Sequence, residues 1–210
     1  MPTPKLYYAP GACSLASHIA IEETGVPYDT QKMNLMEGDQ RKPEYLKLNP
    51  RGRVPTLVMG DEVLTENVGI LTYFGGGHPD AGIWPKKTWD QAKLLSTLAW
   101  LSNTVHPAYG HYVRAARYVD GDDHQAAVKE KGLANFRGYL EEIDKLLTGH
   151  KWSIANQYTV ADPYLLVFYR WGNRAKLPVR DLKNYTALVE RVVSRPAVHK
   201  VMADEGITLD

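Results

Sequence analysis

Along the first eighty residues, short apolar runs alternate with amphipathic ones. Lys5-Leu6-Tyr7-Tyr8 has strand composition and is closed by the turn signal Ala9-Pro10-Gly11. From Ser14 onward, Leu15, His18, Ile19 and Glu22 recur at three- and four-residue spacing up to Thr24-Gly25, which predicts a helix. Tyr28 to Met33 supplies a second strand, so a strand, a helix and a parallel strand follow one another. A polar loop over Glu37–Lys42 leads to a helical turn over Pro43–Leu48 and a turn at Asn49-Pro50-Arg51-Gly52. Val54 to Met59 reads as a third strand, which Gly60-Asp61 folds into an antiparallel hairpin with Val63-Leu64. Thr65 or Glu66 then begins a helix through Ile70, Leu71 and Phe74. The predicted layout is a mixed four-stranded sheet covered by helices.

Gly75-Gly76-Gly77-His78-Pro79, followed by Pro85, breaks this pattern and places the boundary within 75–88. We assign 1–80 to the first domain, 81–88 to a linker and 89–210 to the second domain. After the break only helical periodicity remains, over Trp89–Arg117, Gln125–Leu147, Val160–Ala175, Leu182–Ser194 and Ala197–Glu205. Thr159-Val160-Ala161-Asp162 has the form of a reciprocal capping box, with Pro163 depriving the cap carbonyl of one partner. The predicted fold class is an α/β domain followed by an all-α helical bundle.

Composition narrows the functional classes. A hydrophobic fraction of 44% is enough for a sizeable core. A net charge of +1, without a dense basic cluster, argues against a nucleic-acid partner. Cys13 is the single cysteine, which excludes an internal disulfide, a Cys-x-x-Cys pair and a multi-cysteine zinc site. No metal site is expected. The N-terminal residues lack the apolar core of a signal peptide, and no apolar run is long enough to cross a membrane. A cytoplasmic protein without a membrane partner is expected.

Candidate chemistry concentrates at element ends. Cys13 sits between a strand and a helix, where unpaired N–H groups and the helix dipole favour a thiolate; it reads equally as a small buried residue. Ser14 is a hydroxyl donor or a helix cap. Tyr7 and Tyr8 alternate faces, so one of them at most points a phenol toward Cys13. Val54-Pro55 is either a cis bond that exposes the Val54 backbone or a trans proline at an edge. Glu66 and Asn67 open a helix whose free N–H groups suit a carboxylate, while Glu66 suits an ammonium. In the second domain, Asn103 and His106 are three apart and share a helix face, and Pro107 should kink that helix. Tyr109, Tyr112 and Arg114 extend the face, and Tyr169 and Trp171 add aromatic residues that suit a pocket or a core.

Taken in order, these segments resemble the soluble glutathione transferases, most of all the bacterial Beta class. The resemblance is carried by Lys5–Ile19, Asn49–Leu57, Leu64-Thr65-Glu66-Asn67-Val68-Gly69-Ile70, Thr159–Leu165 and Arg195-Pro196-Ala197-Val198, and it spans residues 5–205. It implies a thioredoxin-like first domain that binds glutathione and a helical domain that binds a small hydrophobic electrophile, in a homodimer serving detoxification. Glutathione is then a co-substrate, and no tightly bound cofactor is implied. By the same resemblance Cys13 contacts the glutathione sulfur and His106 joins it in catalysis. Tyr7, Ser14, Arg53, Val54, Pro55, Glu66, Asn67, Asn103 and His106 bind glutathione, with part of the site completed by the partner subunit. Ala12, Tyr109, Tyr112 and Tyr169 surround the electrophile. Gly38 stands near the family's lysine position, so either Arg41 or Lys42 substitutes there or that contact is absent, and Asn67, Arg53 and Pro107 also depart from the pattern. Two alternatives remain at this level: glutathione-dependent thiol-disulfide reduction or peroxide reduction through Cys13, and glutathione binding without catalysis.

Overall fold

The computed structural model describes residues 2–210; Met1, the first residue of the expected first domain, lies outside the described residues. Strands β1 (Lys5–Tyr8), β2 (Asp29–Lys32), β3 (Thr56–Met59) and β4 (Glu62–Thr65) form one sheet in the order β2-β1-β3-β4. β1 runs parallel to β2, with Lys5 opposite Asp29, and antiparallel to β3, with Leu6 opposite Leu57. β3 and β4 are the expected hairpin. β2, an edge strand, is exposed throughout and wholly polar, which blunts it against pairing with another chain.

Helix α1 spans Ser14–Thr24 and ends on Gly25 at φ +69°, the left-handed conformation its missing side chain permits. Helices α2 (Pro43–Leu48) and α3 (Asn67–Gly77) complete this half. Leu6, Tyr8 and Leu57 from the sheet bury against Ile21, Ile70 and Phe74 of α1 and α3. The three glycines expected to break the chain instead form the last turn of α3. Close packing explains this: a Cβ on Gly75 would lie 2.6 Å from the Trp84 ring and 3.1 Å from Val160. Glycine costs helix propensity at that position and allows the two halves to approach.

The second half comprises α4 (Thr88–Trp100), α5 (His106–Val113), α6 (Asp122–Leu146), α7 (Ala161–Arg174), α8 (Lys183–Val193) and α9 (Pro196–Glu205). The expected continuous helix over 89–117 is divided by a wide π turn, Leu101–Val105, and ends in a short 3-10 turn, Ala115–Arg117. The largest core crosses both halves, joining Leu15, Ile19 and Leu71 to Leu98, Phe136, Leu165 and Phe168. Their relative position is therefore set by shared burial. No helix among the described residues is long and apolar enough to cross a membrane.

The start of α7 corrects the expected capping box in one respect. Asp162 reaches back to the Thr159 N–H at 2.7 Å and also accepts from the Ser153 N–H at 3.0 Å. The Thr159 hydroxyl, however, accepts from the Ala161 N–H rather than from Asp162. The Asp162 N–H bonds the Thr159 carbonyl at 3.0 Å, the partner that Pro163 cannot supply. Burial pushes the Asp162 carboxyl up to about 6 against these hydrogen bonds.

Candidate glutathione site at the domain junction

A cleft of roughly 880 Å³ opens between the ends of β1 and β3 and the helical half. Its floor is the turn Ala9–Cys13. Gly11 holds φ +64°, and a Cβ there would meet the Arg170 guanidinium at 2.6 Å. The Gly11 carbonyl accepts from Trp171 Nε1 at 3.0 Å and from Arg170. Its N–H donates to Glu205 at 2.7 Å, and the other Glu205 oxygen pairs with His18 Nδ1 at 2.9 Å. Residues from α1, α7 and α9 thus hold the loop that carries Cys13.

Cys13 ends this loop and starts α1, half-buried, with its thiol donating to the Val54 carbonyl at 3.4 Å. Ser14 does not reach the cleft: its buried hydroxyl accepts from the Ala9 N–H and donates to the Ala9 carbonyl, bracing the turn. Tyr7 is also displaced from its expected role. The pleat turns its ring toward Tyr45, 5.6 Å away, while Tyr8 faces α1 and packs on His18. Neither ring lines the cleft.

Opposite Cys13 stand Arg53, Val54 and Pro55, and the Val54–Pro55 bond is cis. Buried Tyr45 and Asn49 hold this segment by hydrogen bonds of 2.5 and 2.8 Å to the Arg53 carbonyl. The sequence offered only Asn49-Pro50 as a turn signal and nothing for Tyr45. Glu66 follows at φ +71°, ψ +130°, a conformation that costs a non-glycine residue on the order of 1–3 kcal/mol. Asn67 lines the cleft with its amide already committed. Nδ2 donates to the Cys13 carbonyl at 2.8 Å, and Oδ1 accepts from Ser17 at 2.6 Å. Both ends of its amide are therefore held by protein partners, while its main chain begins α3.

The helical wall depends on the π turn. The His106 N–H bonds the Leu101 carbonyl five residues back, and Pro107 offers no N–H to Asn103. This wider turn breaks the three-residue phase: Ser102 and His106 line the cleft, whereas Asn103 is exposed and accepts from the Thr104 hydroxyl. Burial, with Arg114 and Arg53 nearby, pushes His106 down to about 4, so its imidazole is neutral at pH 7. Tyr109 lines the cleft stacked on Trp171, with centroids 4.5 Å apart and an interplanar angle of 18°. Tyr112 lies behind Tyr109, off the cleft. Tyr169 is a core residue whose hydroxyl meets Thr186 at 2.9 Å. A signal for that last difference existed: Tyr169 and Trp171 are two apart, so only one can face the cleft.

Electrostatics correct a further expectation. Burial outweighs the helix terminus and pushes the Cys13 thiol up to about 11, against the lowering pull of Arg114 and of the main-chain N–H groups of Cys13 and Ser14. Lys32, Arg53, Arg114, Arg117 and Arg174 line the cleft, with Glu66 as its only carboxylate among the described residues. None of those five cations forms an ion pair with another described residue. Arg41 and Lys42 do not line the cleft, and Lys42 is paired with Asp39. Lys32, Ser102, Tyr164, Arg117 and Arg174 line it without any sequence signal.

Two family models match the chain. Residues 2–75 match the glutathione S-transferase N-terminal domain, and residues 101–196 match its C-terminal domain. Glutathione S-transferase GstA of Escherichia coli O157:H7 is 31% identical, over 97% of this chain and 99% of its own length. A glutathione transferase homolog from Sulfitobacter, solved with bound glutathione, superposes with a TM-score of 0.93 at 28% identity, covering 99% of this chain and 100% of that one. A bacterial beta class glutathione S-transferase from Sphingomonas chungbukensis superposes with a TM-score of 0.85 at 32% identity, covering 97% of this chain and 100% of that one.

Proposed function

This chain belongs to the glutathione S-transferase family, and we propose that it conjugates the glutathione thiolate to small aromatic electrophiles. The observation that carries the reading is the convergence, in one cleft, of a helix start at Cys13, the cis Val54–Pro55 bond, the strained Glu66 and a cationic rim. Glutathione is an extended peptide with two carboxylates, one ammonium and one thiol, and each has a matching group here. Arg53 takes the glycyl carboxylate by a charge-assisted hydrogen bond. The Val54 backbone pairs with the cysteinyl unit. Glu66 takes the ammonium, and the N–H groups at the start of α3 take the γ-glutamyl carboxylate.

Conjugation requires a thiolate at neutral pH. The α1 terminus, the charge of Arg114 and neutral His106 as a hydrogen-bond donor would stabilise that anion beside Cys13. A thiol held up to about 11 remains protonated at pH 7, so Cys13 serves as a weak donor that turns from the Val54 carbonyl to the glutathione sulfur when the ligand binds. That protonation favours conjugation over the Cys13-centred reductase or peroxidase reading, which needs a protein thiolate. In bond terms, a C–S bond forms at the activated ring carbon, the leaving group departs with its electron pair, and the thiol proton passes to water.

On this reading residues 1–80 bind glutathione, 81–88 link, and 89–210 bind the electrophile at Tyr109, backed by Trp171, with Ala12 of the first domain opposite. A cytoplasmic homodimer with a detoxifying role fits the lone thiol and the exposed apolar residues Val63, Tyr73, Trp89 and Leu95 on β4, α3 and α4. Asn103, turned out of its own cleft, is then available to the partner's site. Steady-state assays with glutathione and 1-chloro-2,4-dinitrobenzene test the activity. Glutathione binding by calorimetry without turnover above background would leave a binding protein instead.

A further inference from the structure

Glutathione, as placed by the proposed conjugation on which this inference rests, leaves much of the positive charge in the cleft unanswered. Arg53 and the start of α3 meet its two carboxylates, and Glu66 meets its ammonium. Three guanidiniums remain on the helical wall: Arg114 just after α5, Arg117 in the turn that follows, and Arg174 in the last turn of α7. They come from two parts of the chain, Arg114 and Arg117 three residues apart after α5 and Arg174 on α7, and line the same cleft, and none has a carboxylate partner among the described residues. Their fields overlap: burial first, then Arg114, Arg41 and Arg53, disfavours the charge on Arg117, and Arg174 and Arg114 both act on the Tyr109 phenol against the effect of its burial. The charge of Arg114 also reaches the Cys13 thiol, so the cluster stands near the reacting sulfur.

Beside these cations stands the half-buried Tyr109 ring, stacked on the buried Trp171. Aromatic faces take planar rings in offset or tilted contact, and unpaired guanidiniums at the edge of a half-enclosed cleft take a carboxylate in bidentate fashion. We propose that the electrophile is an anionic aromatic compound, whose ring lies against Tyr109, backed by Trp171, and whose carboxylate is held among Arg114, Arg117 and Arg174. The carboxylate is a spectator. The glutathione sulfur forms a C–S bond at the ring carbon bearing the halide, the halide leaves with the electron pair of its bond, and the thiol proton passes to water. Nothing is oxidised or reduced overall.

A matched pair tests this: 4-chloro-3-nitrobenzoate and its uncharged counterpart 4-chloro-3-nitrobenzamide. With kcat/KM normalised to each uncatalysed rate, the carboxylate should be favoured about tenfold or more at low ionic strength, as expected for a charge-assisted contact. Arg114→Gln, Arg117→Gln and Arg174→Gln should each lower that ratio, Arg117→Lys should retain most of it, and added salt should shrink it. Turnover of the amide without any preference for the carboxylate overturns the inference and leaves conjugation standing. The same holds if the glutamine variants raise the KM for glutathione and leave the ratio intact. If neither compound reacts, conjugation fails and calorimetry decides the inference. On glutathione-saturated protein, tighter binding of unreactive 3-nitrobenzoate than of 3-nitrobenzamide supports it, and equal binding overturns it.

Discussion

The two walls of the cleft are built in opposite ways. On the α/β side the presented groups are largely main chain: the Ala9–Cys13 turn, Val54 before its proline, and the start of α3 after Glu66. Their aim is fixed by buried polar side chains that bond the main chain, Ser14 and Tyr45 behind the wall and Asn49 and Asn67 at its surface. On the helical side the presented groups are side chains, His106, Tyr109, Trp171 and the three arginines, carried on α5, the 3-10 turn after it, and α7. A main-chain wall is therefore sensitive to its hidden braces. A side-chain wall is sensitive to its visible residues, and can change specificity without disturbing the fold.

The largest effect should come from the joint between the walls. Glu205→Ala leaves the Gly11 N–H and His18 Nδ1 without a partner in the interior, a loss of about 2–5 kcal/mol for two buried groups left unsatisfied. Urea unfolding should show it as a lowered midpoint; a change below about 1 kcal/mol would mean that the helical half does not hold the Cys13 loop. Next is the thiol itself. With Cys13 raised from 9.0 to about 11, its thiolate fraction at pH 7 is roughly a hundredth of that of an unperturbed thiol. Alkylation by iodoacetamide should be correspondingly slow at pH 7 and still climbing from pH 9 to 11, because reactivity follows the thiolate. A plateau below pH 8 would reverse the assignment of Cys13 as a protonated donor.

A crossed pair of substitutions separates the walls by function. Arg53→Gln should raise the KM for glutathione about tenfold, the loss of one charge-assisted bond, with little change in the KM for the aryl halide. Tyr109→Ala should do the reverse, since it removes half of the stacked face. If both variants alter the same constant, the division of labour between the walls is wrong. The smallest effect belongs to Tyr169→Phe, which removes one hydrogen bond to Thr186, worth about 0.5–1.5 kcal/mol, at a position off the cleft. Thermal unfolding should register it while KM for both substrates stays put.

Much of this architecture was legible because the signals were local. Ser14 and Gly25 bracket α1 by the ordinary rules of helix starts and left-handed stops, and the structure matches those limits. Gly60-Asp61 made the hairpin, and Pro55 in a strand context pointed to a special backbone. Misread positions shared a cause in tertiary contact. The run Gly75–Gly77 looked like a break and is a helix end pressed on Trp84. Asn103 shared a face with His106 only while the helix was assumed regular, and the π turn before Pro107 changed its phase. Tyr169 and Trp171 lie on a helix buried almost all round, where periodicity carries no information about which side is empty.

By itself, then, the sequence determined the order of elements, the two-part organisation and the segments that meet at the cleft, because periodicity, caps and turns act over a few residues. Only the tertiary structure decided which side chains within those segments face the ligand space and which protons they hold. Cys13 shows the reason most directly: its place at a helix start is a local fact favouring a thiolate, yet its burial beneath the helical half costs the charged form more than the helix terminus returns. The cationic rim is of the same kind. A net charge of +1 averages over the whole chain, whereas folding brings Arg53, Arg114, Arg117 and Arg174 to one cleft without the carboxylates that balance them elsewhere.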